Sequence, residues 1–107
     1  MAKRPQFELS FAQQVIEHMD LIESKYHRLL QRAIHEQLTH TPTEEARNRK
    51  PLDQPAPFGA SWELRCGPDN RFRVFYEIET AAHEVQVLAI GVKERNRLLI
   101  GGEEYQT

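Results

Sequence analysis

Arg65, Arg71 and Arg73 recur along a stretch that reads as a hairpin, and Lys93 ends the apolar segment that follows. If Trp62, Leu64, Phe72, Val74 and Tyr76 point into a core, the two-residue period of a strand sends Arg65, Arg71 and Arg73 the other way. Setting Leu88, Ile90 and Val92 inward on the third segment puts Val87, Ala89, Gly91 and Lys93 on that outer face as well. Arg65, Arg73 and Lys93 then converge, with small neighbours around the lysine. Cations converging on a concave surface suit a phosphate, because a guanidinium holds two oxygens at once and stabilises charge building on phosphorus during transfer. The same phase also allows a plainer arrangement, in which these are solvated strand positions paired with Glu63, Glu77 and Glu79.

Other reactive residue types lack the spacing their chemistry needs. His18, His27, His35 and His40 lie in a helical stretch without a repeated ligand interval, and HExxH is absent, so no metal site and no cofactor are expected. His83 falls in a turn. Cys66 is on the inward phase and reads as a buried thiol. Gly101-Gly102 lacks the lysine and helix start of a phosphate loop and reads as a turn. Glu103, Glu104 and Tyr105 form a tail that is either disordered or folded over the cationic face.

The elements that must position these residues follow from periodicity. Residues 6 to 10 alternate polar and apolar, as a short strand with Phe7 and Leu9 facing in. Ser10 stands three residues before Gln13, the spacing of a capping box, and predicts a helix start there. Phe11, Val15, Met19, Ile22, Tyr26, Leu29, Ala33 and Ile34 then recur at intervals of three and four. A continuous helix of about thirty residues would be about 45 Å long, too long for this chain to cover. A break at Asp20 to Lys25 is therefore expected, with Ser24 as a second cap and Thr41-Pro42 as the end. Residues 41 to 60 carry Pro42, Pro51, Pro55 and Pro57 and read as a long connection, with Thr43 to Ala46 able to start a helical turn. Three strands follow as a meander, turning at Gly67 to Asn70 and at Ala81 to His83. The fold class is α+β, a two-layer sandwich of strand, helical hairpin and three-stranded antiparallel meander whose second sheet face is open or partner-covered.

Composition narrows the function classes. At 107 residues the chain has room for one domain, 1–107. The longest nearly apolar run, Val85 to Val92, falls far short of the roughly 20 residues of a bilayer span, so no membrane association is expected. The basic Met1 to Pro5 stretch lacks the apolar run of a signal peptide, and a single cysteine suits a reducing compartment, so cytoplasm is the expected location. Fourteen basic against sixteen acidic groups exclude a protein coated in positive charge. Residues 41 to 73 nevertheless hold six basic and five acidic groups, against three and six in 74 to 107, so a local basic patch remains available.

The order of elements, with Arg49-Lys50-Pro51-Leu52, Trp62-Glu63-Leu64-Arg65, Arg71-Phe72-Arg73-Val74-Phe75-Tyr76-Glu77 and Val87-Leu88-Ala89-Ile90-Gly91-Val92-Lys93, resembles the RelE/ParE superfamily of bacterial toxins across nearly the whole chain. The resemblance implies the toxin of a type II toxin–antitoxin module, neutralised by a cognate antitoxin protein. RelE-like members cleave messenger RNA in the ribosomal A site, whereas ParE-like members inhibit DNA gyrase. The cleavage chemistry is metal-independent. A ribose 2′-hydroxyl attacks the neighbouring phosphate, so the site must remove a proton, stabilise the phosphorane and protonate the departing 5′-oxygen.

Residue by residue, the resemblance places Arg65, Arg73 and Lys93 at catalytic positions, with Glu63 as a carboxylate base if one is needed and Tyr105 as a tyrosine if the tail folds back. Arg47, Arg49, Lys50, Arg71 and Arg95 are the RNA-binding candidates. Two features depart from the nuclease pattern. RelE-like nucleases place a tyrosine shortly after the last strand, where this chain has Arg95-Asn96-Arg97-Leu98-Leu99, and ribosome-targeting members are basic, whereas the net charge here is −2. A gyrase inhibitor and a non-catalytic antitoxin-binding member therefore stay open as alternatives.

Overall fold

In a computed structural model the described residues are 6–53 and 56–105; the basic residues 1–5 and Pro55 lie outside them. Strand β1 (Glu8–Phe11) leads into helix α1 (Gln14–Asp20), and a 3-10 turn at Ser24–Tyr26 leads into α2 (His27–Leu38). The rest is β2 (Arg49–Pro51), β3 (Trp62–Cys66), β4 (Phe72–Glu79), β5 (Glu84–Glu94), β6 (Arg97–Ile100) and β7 (Glu103–Glu104). The sheet runs β2-β3-β4-β5-β6-β7 with antiparallel neighbours, and β1 adds to β5 in parallel.

The helical break and the meander fall where periodicity places them; the ends differ. Ser10 does not cap a helix. It pairs with Gln86, and the strand continues through Phe11 because the Glu8 and Ala12 amides donate to His83 and Val87 of the β5 side at 2.8 and 2.9 Å. That ladder satisfies more backbone groups than one serine cap, and α1 starts without a side-chain cap. Ser24 likewise opens a 3-10 turn rather than capping α2. Helix α2 stops at Leu38, short of Thr41-Pro42, and Thr41 returns both its amide and its hydroxyl to the Gln37 carbonyl. Thr43 to Ala46 forms no helix, since Ala46 and Arg49 exchange backbone hydrogen bonds in a tight hairpin that feeds β2. Pro51 is tolerated there because β2 is an edge strand.

Leu30, Ile34 and Leu38 of α2 and Val15 and Ile22 of the α1 segment bury against Leu64, Phe72, Val74, Tyr76, Val85, Val87 and Ile90. The opposite sheet face is not simply open. Ala60, Phe75, Ala89 and Ile100 form a second small core there, with Leu52, Leu88, Leu98 and Tyr105 against it. Its cover comes from the proline-rich connection and from the unexpected hairpin of β6 and β7. A bulge explains the altered phase of β5: Phe75 faces Ala89 while Tyr76 faces Val87, so Leu88 is an extra residue. Val87 consequently lies on the helix side and Leu88 on the other, the reverse of strict alternation from Val92.

Beyond the bulge, β5 has no strand neighbour on one edge between β1 and β6, and α1 fills the gap. Gln14 Nε2 donates to the Leu88 carbonyl at 2.8 Å, and the Ile90 amide donates to His18 Nδ1 at 3.2 Å. Burial holds the His18 imidazole below its ordinary value of 6.5, against the opposing effect of Glu17. Protonating Nδ1 would turn this acceptor into a donor facing an amide. The unfolded chain therefore binds the proton first as pH falls. The His18 contribution to stability is fully present above pH 6.5, declines below it, and levels off once the folded imidazole protonates. Urea midpoints measured from pH 7.5 to 5 are expected to fall less steeply in His18→Leu than in the unaltered protein.

A second buried hydrogen bond ties the long connection to the core. Tyr76, fully buried and with its hydroxyl pKa raised by that burial, donates to the Pro42 carbonyl at 2.8 Å. Tyr76→Phe strands that carbonyl and is expected to cost about 1–3 kcal/mol, read as a lower denaturation midpoint at unchanged slope.

Candidate functional site

The β3–β4 register sets Arg65 directly opposite Arg73, and Arg73 faces Gly91 on β5. Two like charges at opposed positions repel. Glu63, two residues before Arg65 on the same face, answers both: Arg65 Nε donates to Glu63 Oε2 at 3.2 Å, and Arg73 Nη1 donates to Oε1 at 3.4 Å. Arg73 Nε donates further to the Asn70 carbonyl at 3.0 Å. The side chains are graded in depth, with Glu63 7%, Arg73 15% and Arg65 33% exposed. The ion-paired arrangement and the phosphate-binding one thus use the same residues. A carboxylate neutralises one of two guanidiniums and leaves a net positive cluster.

Lysines flank this cluster. Lys50 lies opposite Glu63 across the β2–β3 ladder and is exposed. Lys93 follows Gly91 by two on β5, so it shares the face of Arg73, and no carboxylate among the described residues is within ion-pair distance of it. Gly91 has a packing role: a Cβ there would sit 2.9 Å from a Leu98 methyl and 3.1 Å from both Ile100 Cγ1 and the Leu99 carbonyl oxygen. The tail does fold back. The Tyr105 amide donates to the Leu98 carbonyl at 2.8 Å, and its side chain packs on the second core.

Two of the RNA-binding candidates are turned away from this cluster, and two more sit in exposed turns. Arg49 is buried, its Nε donating to the Glu44 carbonyl at 2.7 Å and its Nη1 to Gln37 Oε1 at 2.8 Å. The register explains this: Lys50 opposes Glu63, so Arg49, opposing Leu64, turns to the helix side and pins the connection to α2. Arg71 also leaves the expected face. It has helical backbone angles at the end of the Pro68–Asn70 turn, so strand alternation does not reach it. Its guanidinium lies 5.9 and 5.8 Å from the Tyr26 and Phe72 ring centres and pairs with Glu94 at 3.6 Å. Arg95 sits exposed in the β5–β6 turn with a φ of 56°. Arg47 is exposed in the hairpin before β2.

Several contributors carry no motif. Asn48 accepts the Arg65 amide at 2.7 Å through its carbonyl, and its side chain bridges the Arg65 carbonyl and Gln37. Asn70 supplies a carbonyl to Arg73. Only His18 left a trace in the sequence, as a polar residue on the buried phase of α1, where a polar group must find a partner. Cys66 is buried, and burial pushes its thiol up to about 11, so it is not a nucleophile. Among the described residues no three or more His, Cys, Asp or Glu side chains gather as a metal site. No described helix is long and apolar enough to cross a membrane.

Opposite the cationic face, a groove of about 870 Å³ opens between β1, α1 and α2, walled by Phe7, Leu9, Phe11, Ile16, Met19 and Ile34. Phe11 and Ile16 are 51% and 65% exposed. The parallel pairing sends the Glu8 and Ser10 backbone groups to β5, so those of Leu9 and Phe11 face the outer edge.

No family model and no curated relative matches the sequence. The fold does match a solved structure, a chain of the toxin–antitoxin complex RelBE2 from Mycobacterium tuberculosis. The TM-score is 0.68 at 16% identity, over 87% of this chain and 98% of that one. Strand, helical pair and sheet are therefore arranged as in that chain.

Proposed function

We propose that the protein is the toxin of a type II toxin–antitoxin module and that it cleaves messenger RNA in the ribosomal A site without a metal. The observation that carries this reading is the opposed, partly buried Arg65–Arg73 pair on the sheet face away from the helices, with Lys93 and Lys50 beside it. Free guanidinium N–H groups hold the scissile phosphate and meet the charge that grows on it as the 2′-hydroxyl attacks. In this reading Lys93 and Tyr105 are the groups that exchange protons with the attacking and departing oxygens.

One observation favours a second reading, inhibition of DNA gyrase. Leu98 stands directly opposite Lys93, in the stretch where the resembling nucleases place a tyrosine. Translation of a defined message with purified ribosomes separates the two. Cut transcripts mapped inside the reading frame, with supercoiling unaffected at high protein excess, support cleavage. Intact transcripts with blocked supercoiling support the gyrase reading, and a folded protein harmless in both assays removes both.

The partner in this reading is an antitoxin, as in the RelBE2 complex. The apolar groove fits one of its segments, with Phe11 and Ile16 as anchors and the outer edge of β1 free to pair. Phe11→Asp with Ile16→Asp is expected to weaken the complex about 30-fold or more, measured by calorimetry against the product of the adjacent gene.

A further inference from the structure

We propose that Glu63 is a positioning residue that binds Arg65 and Arg73 into one anion-binding unit, and that it is not the group that takes the substrate proton. The inference rests on the cleavage reading above and assigns a role within that same site. Three observations support it. Opposed positions on adjacent antiparallel strands hold side chains about 5 Å apart at Cβ, so the two guanidiniums would splay without a counter-charge. Glu63 gives one oxygen to each, Oε2 to Arg65 and Oε1 to Arg73, which fixes their spacing. It is also the deepest of the three, so a phosphate arriving from solvent meets the guanidiniums first.

The hydrogen-bond pattern shows what remains for a ligand. Arg73 spends Nε on Asn70 and Nη1 on Glu63, and Arg65 spends Nε on Glu63. Both terminal nitrogens of Arg65 and Nη2 of Arg73 donate to no described residue. These are the donors a single tetrahedral anion can bridge. A carboxylate beneath them, with each oxygen already held, sets the geometry of the pair and has no open path to a ribose hydroxyl.

Glu63→Gln keeps the shape and offers one carbonyl and one amide, so it can hold only one guanidinium. It also removes a negative charge, which by itself favours anion binding. Turnover on programmed ribosomes is therefore expected to fall about 100-fold, the scale of a small misplacement at a reacting centre, while KM changes by less than about threefold. The pH–rate profile keeps its shape, because the proton acceptor is still present. In ¹⁵N spectra the Arg65 and Arg73 Nε–H signals, both shifted by a single sulfate in the unaltered protein, respond independently in the variant.

Loss of the acid limb of the profile would make Glu63 the base and overturn the proposal, as would unchanged turnover with unchanged Nε signals. If the unaltered protein cuts no message, the cleavage reading fails by itself. The sulfate titration still decides the pairing, since concerted shifts that become independent in Glu63→Gln support it and shifts that stay concerted there refute it. Should Glu63→Gln not fold, Glu63→Asp keeps the charge at shorter reach. It is expected to lower turnover with the same unchanged profile; full activity there would overturn the proposal.

Discussion

Arg65→Ala combined with Arg73→Ala is expected to lower message cleavage by about 10³-fold and to abolish growth arrest. Removing one preorganised donor to a developing oxyanion costs about 10²–10³ in rate. Two donors acting on the same phosphate are not additive, so the double loss stays near the upper single value. The variant has a structural side effect that must be separated from this. Glu63 would be left buried without a partner, and breaking a buried ion pair costs about 3–5 kcal/mol. Arg65 is one-third exposed, so water screens part of that cost and the lower end applies. Adding Glu63→Gln to the double variant removes the stranded charge and is expected to recover stability without recovering cleavage. Arg65→Lys with Arg73→Lys retains both charges yet loses the planar fork, and cleavage should fall again. Growth arrest that persists in the folded triple variant would exclude the nuclease reading and leave the gyrase target.

How much of this site the sequence made legible depends on each strand's neighbours. Over Trp62 to Cys66 and again over Arg71 to Val74 apolar and polar residues alternate, and the face shared by Glu63, Arg65 and Arg73 follows from that alternation. Segment 85–92 is apolar at nearly every position because β5 is covered on both faces, so no alternation marks its phase and the Leu88 bulge is invisible. Arg49 and Lys50, adjacent and both RNA-binding candidates, are sent to opposite faces by pairing with β3. A three-residue strand ending in proline carries no period that could divide them. Hairpin β6–β7 is missed for the same reason of length, and with it the return of Tyr105. Gln14 and His18 close the edge of β5 by side-chain hydrogen bonds, a use of polar residues that only the three-dimensional gap between β1 and β6 reveals.

The largest single-residue loss of stability is expected at Gly67→Ala. Gly67 begins the turn between β3 and β4 with φ at +84° and ψ at 179°, a conformation essentially confined to glycine and costing other residues about 1–3 kcal/mol. An added Cβ would also run into the edge of the Phe72 ring. Phe72 is fully buried against Tyr26 and cannot turn aside without disturbing the main core, so overpacking adds about 1–3 kcal/mol. The sum, roughly 2–6 kcal/mol, is a large part of the roughly 5–15 kcal/mol that holds a domain folded. Gly59→Ala is the control for backbone strain alone: φ there is +73° but nothing lies within 4 Å of the new methyl, so about 1 kcal/mol is expected. The Gly67 turn also sets the register that opposes Arg65 to Arg73, with Asn70 inside it holding Arg73. Under strongly stabilising conditions that keep Gly67→Ala folded, cleavage should therefore remain impaired, whereas Gly59→Ala should regain full activity. Equal midpoints for the two variants in urea would show that the Phe72 ring yields and that the turn is not the constraint on the arginine pair.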